Sequence, residues 1–244
     1  MQITLFRGIT VKPEDEQKVR ETILSEGLSE KESQNYTNDC IDLRSRIDEL
    51  FEKPDLTTED TRPSRWIETD RGGYSELIGG YPIICACADR LGANYYAQKH
   101  NQYAEEGLTK GLVIKFRADI DDLQIDGRDF LYNFVFQANC NSKQQIYAYK
   151  LFGDSLRRYL ERAIVNSDHD YKIAMCDLAV QDAGVISSHA KNEIIIGGRH
   201  GTVFRSAFFV KTPILPSDIL EIEETRNFDF TPQITIEEFR RMGE

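Results

Sequence analysis

The sequence predicts one α+β domain, and three observations predict it. Segments with helix start and stop signals crowd the first half of the chain. Apolar segments rich in Val, Ile and Phe crowd the second. No repeat, low-complexity segment or clear linker divides the chain. With 244 residues, 40% hydrophobic and 29% charged, the chain can fill one large core.

The elements follow in order. Met1 to Thr10 reads as a strand carrying Leu5-Phe6-Arg7-Gly8. Pro13 to Leu24 reads as a helix, because Pro13 suits a first turn and Glu14, Asp15 and Glu16 complement the N-terminal dipole. Gly27 supplies its stop. Ser29 and Glu32 have capping-box spacing for a second helical stretch reaching Phe51. Lys53 to Gly80 is rich in Pro, Thr, Gly, Asp and Arg and reads as a long loop insertion at about 53–80. It holds the only tryptophan, Trp66.

Tyr81 to Ala88 reads as an apolar strand, and Asp89 as the cap of a helix from Leu91 to Glu106. Gly111 to Ala118 reads as a strand, Asp119 to Asp129 as an acidic turn, and Phe130 to Gln137 as another strand. Asp154 is a cap for a helix over Leu156 to Val165. Lys172 to Val180, Glu193 to Gly198, Thr202 to Lys211 and Ile219 to Glu224 read as strands. Thr235 and Glu238 mark a short capped helix at the end.

Composition excludes several function classes. The net charge of −11 argues against broad nucleic-acid binding, which needs an electropositive surface. No apolar run has the length of a membrane span. The N-terminal stretch lacks the basic and apolar pattern of a signal peptide. Five cysteines without regular spacing point to a reducing compartment, hence a cytoplasmic setting. Cys85 and Cys87 alternate on one strand but lack companion thiols or imidazoles, so they read as small buried hydrophobes and no metal is expected. Asp119, Asp121, Asp122 and Asp126 lack the twelve-residue calcium pattern and read as acidic surface. Gly197-Gly198-Arg199-His200-Gly201 has no helix pattern after it and reads as a tight turn between strands. The four histidines are scattered and read as surface residues, with His189 of interest for its place before Glu193.

Arg7 is the first candidate for chemistry. Arginine is rarely buried unless something anionic pairs with it. Gly8 beside it would let a ligand approach the backbone. The bland reading is a salt-bridged surface arginine. Clusters at Arg62, Arg65 and Arg71, and at Arg199, His200 and Arg205, read as solvated loop charges.

Four short motifs in order resemble the ADP-ribosyltransferase-fold family. They are Leu5-Phe6-Arg7-Gly8, the helix end Ile23 to Leu28, Tyr81 to Asp89 followed by Gly92-Ala93-Asn94-Tyr95-Tyr96-Ala97, and Lys191-Asn192-Glu193-Ile194-Ile195-Ile196. The resemblance implies a split β-sheet core with flanking helices, spanning 1–244 as a single domain. It implies NAD as substrate, with ADP-ribose transferred to a macromolecular target, protein or nucleic acid. Glu193 and Arg7 would be catalytic; Arg7, Gly8, Cys85, Tyr95 and Tyr96 would hold NAD. The segment Asp182 to Asn192, with Ser188, His189 and Lys191, would be the target loop. A carboxylate beside the ribose would stabilise the cation formed when nicotinamide leaves. Arg7 would grip the pyrophosphate with its planar fork, and Tyr95 or Tyr96 would stack on the nicotinamide.

The chain departs from the family at Cys85, Ala86 and Cys87, where one branch carries serine and threonine. It departs again at Lys191, where target-modifying members often carry Gln or Glu. Alternatives are an NAD glycohydrolase and a non-catalytic module that binds NAD, ADP-ribose or a protein partner. For Glu193 the bland reading is a solvated charge before a strand. For Tyr95 and Tyr96 it is helix packing.

Overall fold

The computed structural model describes residues 1–29, 43–61, 66–68, 74–78, 81–100, 108–198, 201–226 and 230–243, with backbone only at 66–68, 74–78, 81–82, 99–100 and 128–129. The architecture is mixed α and β, with small sheets whose pairings are mostly antiparallel.

The chain opens with strand β1 (Gln2–Val11) and helix α1 (Glu16–Glu26). A 3-10 turn over Pro13–Asp15 leads into α1. Gly27 ends the helix with φ +80, a left-handed conformation that suits glycine, and its N–H donates to the Ile23 carbonyl at 2.9 Å. Arg20 ties α1 down twice, to Glu16 one turn back at 2.9 Å and to the Ile222 carbonyl at 2.6 Å. Most of the second expected helix lies outside the described residues. Its C-terminal part is α2 (Ile47–Phe51).

The stretch 53–80, read from its composition as a loop, contains α3 (Thr58–Thr61) and strands β2 (Trp66–Glu68) and β3 (Tyr74–Ile78). Arg62, Arg65, Arg71 and the glycine pairs of this stretch lie outside the described residues. Strand β4 (Tyr81–Ala86) and helix α4 (Arg90–Tyr95) follow. The Asp89 side chain caps α4 by accepting from Gly92 N–H at 3.1 Å. The helix then widens into a π-turn over Tyr96–His100, and the rest of the helix expected to reach Glu106 lies outside the described residues.

Strands β5 (Lys110–Asp119) and β6 (Leu123–Ile125) come next, and then the structure overturns a run of expectations. Arg128–Phe136 is a π-helix, not a strand. Helices α5 (Ser142–Phe152), α6 (Arg157–Val165), α7 (His169–Ala179) and α8 (Ala183–His189) follow one another. Lys172 to Val180 is therefore mostly helix. It reads as a strand because α7 is buried on nearly every side, which erases the helical spacing of its apolar residues. The expected crowding of helices into the first half also fails, because α5 to α8 all lie in the second half.

The chain closes with β7 (Ile196–Gly197), β8 (Val203–Phe204), β9 (Phe208–Lys211), β10 (Ile219–Glu224), β11 (Ile234–Thr235) and α9 (Ile236–Arg241). Thr235 and Glu238 form the expected reciprocal capping box on α9. The expected strand Glu193 to Gly198 shrinks to β7.

Among the described residues three sheets result, with strand orders β1-β5-β10, β2-β3-β4-β9-β6 and β11-β7-β8. The first two meet at one bridge, where Phe6 and Cys87 exchange both backbone hydrogen bonds, at 2.7 and 2.9 Å. A single apolar cluster joins Leu5, Ile114 and Phe116 of the first sheet to Leu123, Phe208 and Val210 of the second. The same cluster includes Leu151, Leu160 and Met175 of the helices. No described helix is long and apolar enough to cross a membrane.

Candidate functional site

The junction of the first two sheets carries a cavity of about 220 Å³. Phe6, Arg7 and Gly8 line it from β1, and Cys85, Ala86 and Cys87 from β4 and the residue after it. Ala93 and Tyr96 line it from α4 and the turn after it, Phe208 and Ala207 from the strand paired with β4 and the residue before it, and Asp126 from the end of β6. The walls are mainly apolar, with Arg7 and Asp126 as the charged groups, the composition of a ligand pocket.

Each wall is fixed by local chemistry. Arg7 donates to the Cys85 carbonyl at 2.8 Å, which binds the guanidinium to the neighbouring strand. Gly8 serves a purpose other than the expected one. A Cβ there would lie 1.9 Å from the Ala93 carbonyl oxygen, so the space is occupied by α4 rather than reserved for a ligand. Glycine at this position lets the helix seat directly on β1. Thr10 reinforces the contact by donating to the Ala97 carbonyl at 2.9 Å, which lies in the π-turn that begins at Tyr96.

Cys87 is buried and Cys85 exposed. Burial pushes the Cys87 thiol well up, and the nearby carboxylates of Asp89 and Asp126 add to the effect. It is a packed hydrophobe, not a nucleophile. Burial also holds the Asp89 carboxyl above the usual range, against the opposing bond from Gly92 N–H.

Four of the expected site residues, Arg7, Gly8, Cys85 and Tyr96, thus share one cavity. The others lie elsewhere. Tyr95 is half-buried, and its hydroxyl lies 3.5 Å from where a Cβ on Gly201 would sit. Glu193 is exposed, three residues ahead of β7, and does not line the cavity. Lys191 is exposed beside it. Asn192 between them anchors the turn by donating to the carbonyls of Ile194 at 3.0 Å and Arg205 at 2.6 Å.

The expected target loop is instead largely helix α8. Asp182 caps it by accepting from the N–H groups of Gly184 and Val185 at 2.8 and 3.0 Å. Ser188 packs against Gly153, where a Cβ would come within 2.3 Å of its side chain. His189 is not a surface residue; it is 1% exposed. Its Nδ1–H donates to the Leu151 carbonyl at 3.0 Å, and its Nε2 accepts from Ala207 N–H at 3.2 Å. The two partners fix a neutral tautomer, since a carbonyl only accepts and an amide N–H only donates. The ring stacks on Phe152 at 4.5 Å and meets Phe208 edge-on at 5.4 Å. Burial lowers its pKa to about 4. His189 therefore stands behind the cavity wall and holds Ala207 and Phe208 in place.

The sequence reading missed Asp126, Ala207 and Phe208. Asp126 was one acid among several in a turn, and only the β6–β9 pairing brings it to the cavity. Among the described residues no group of three or more His, Cys, Asp and Glu is gathered as metal donors would be. His100, Arg199 and His200 have no described side chains. No family model, no curated protein and no solved structure matches the chain.

Proposed function

We propose that the protein is an NAD-dependent enzyme of the ADP-ribosyltransferase type, with NAD bound as substrate at the Arg7 cavity and ADP-ribose passed to a macromolecular target. The observation that carries this reading is the convergence of Arg7, Cys85 and Tyr96, from β1, β4 and the helix after β4, on one cavity at a sheet junction. Those are three of the positions that the resemblance assigns to NAD.

The size of the cavity supports the same reading. Its volume of about 220 Å³ is below the ~300–1,000 Å³ of sites that enclose a whole drug-sized ligand. It suits one end of a dinucleotide. Nicotinamide is flat and apolar on its faces, and Phe6, Tyr96 and Phe208 supply aromatic walls. Arg7 at the rim supplies the fork of donors that a pyrophosphate recognises.

The exposure of Glu193 outside this lining favours a second reading, a module that binds NAD or ADP-ribose without cleaving it. Incubation with NAD, with and without a cell lysate, separates the two by free nicotinamide. Release that is lost in Arg7→Ala supports the enzyme. Saturable NAD binding with no release supports the module.

A further inference from the structure

We propose that Asp126, not Glu193, supplies the carboxylate that faces the ribose in this cavity. The assignment rests on the NAD reading above and deepens it. Breaking the nicotinamide–ribose bond leaves a cation on the sugar, and a carboxylate fixed beside that carbon lowers the barrier. Of the two acids, Asp126 lines the cavity, whereas Glu193 is solvent-exposed and outside the lining.

The backbone around Asp126 is held on both sides. Ile125 pairs with Phe208 across the β6–β9 ladder, and its N–H donates to the Val180 carbonyl at 2.9 Å. Asp126 N–H donates to the Ala207 carbonyl at 2.9 Å. Gly127 then caps the π-helix that follows. The carboxylate is therefore carried on a strand end rather than on a free loop, which suits a preorganised charge. Arg7 lies on the other sheet, so the cation that grips phosphate and the anion that faces the sugar reach the cavity from different sheets.

The step balances without a further reactant. The C1′–N bond to nicotinamide breaks, and its electron pair leaves with the ring, which departs neutral. The Asp126 carboxylate offsets the positive charge on the ribose. A hydroxyl, amine or amide of the target, or water, forms the new bond to C1′ and gives up its proton to the carboxylate and then to solvent.

The test compares Asp126→Asn and Glu193→Gln with the wild type. Nicotinamide release is read by chromatography, NAD affinity by calorimetry and folding by the thermal midpoint. Asp126→Asn is expected to slow release about 10²–10³-fold, the usual cost of one such electrostatic contact, with affinity within a few-fold and the midpoint preserved. Glu193→Gln is expected to keep release within a few-fold. Release retained in Asp126→Asn, or lost only in Glu193→Gln, overturns the assignment. So does a wild type that binds NAD without releasing nicotinamide in any lysate, although NAD binding at the cavity then stands. A wild type that does not bind NAD at all refutes the NAD reading itself, and this assignment with it.

Discussion

Acid should loosen the cavity wall through His189. Its pKa is lowered from 6.5 to about 4 because burial penalises the charged ring, while the bond to the Leu151 carbonyl acts weakly the other way. Above pH 6.5 the ring is neutral in the folded and unfolded chains alike, and the stability it permits is fully present. As the pH falls through 6.5, the unfolded chain takes up a proton that the folded chain refuses, so stability falls until the folded ring protonates near pH 4. At ~1.4 kcal/mol per pH unit, the full loss is about 3 kcal/mol, and the loss between pH 7.5 and 5 is about 2 kcal/mol. Urea unfolding of the wild type and of His189→Gln at the two pH values reads this directly. Glutamine keeps one donor and one acceptor but does not titrate, so the contributions of carboxylates cancel in the comparison. The wild type should lose about 2 kcal/mol more than the variant on acidification. An NMR titration of the wild-type ring covers the case of a variant that fails to fold, and His189 should not titrate above about pH 5. Equal losses in both proteins, or a ring that titrates near 6.5, would refute the reasoning.

Two further substitutions test the framework around the site. Gly8→Ala puts a Cβ 1.9 Å from the Ala93 carbonyl oxygen, so α4 must withdraw. It should lower stability by at least ~1–3 kcal/mol, the usual range for overpacking, seen as a lower urea midpoint with an unchanged slope; a neutral effect would mean that α4 does not seat on β1. Thr61→Ala removes the 2.6 Å bond from the buried Thr61 hydroxyl to the Asp177 carboxyl oxygen, and should cost about 1–3 kcal/mol in the same assay because it leaves a buried acceptor short of a partner.

Much of the backbone was legible in the sequence where short-range signals decide the outcome. β1, β5 and β10 show as β-rich runs. Asp89 and the Thr235–Glu238 pair mark helix starts that the structure contains. Two of the failures share a cause. Arg128–Phe136 and α7 are buried on most sides, so their apolar residues run together and lose the spacing that separates helix from strand. The segment before Glu193 was expected to be a loop only through the family resemblance, yet the Asp182 cap starts a helix there. In the site, Arg7 and Cys85 stood out through unusual choices on strands. Asp126 did not, because its place depends on a pairing between β6 and β9, whose registered residues lie more than eighty positions apart.

The proposed binding of one end of NAD in the Arg7 cavity has a reporter in the cavity lining. Cys85 reports on it, because its thiol is exposed and lines the cavity while Cys87, Cys140 and Cys176 are buried. The most direct measurement is the rate of Cys85 alkylation by iodoacetamide, read by peptide mass spectrometry with and without NAD. NAD bound there should slow modification of Cys85 several-fold at concentrations that saturate binding by calorimetry, and Arg7→Ala should abolish the protection. An unchanged rate at saturating NAD would contradict it.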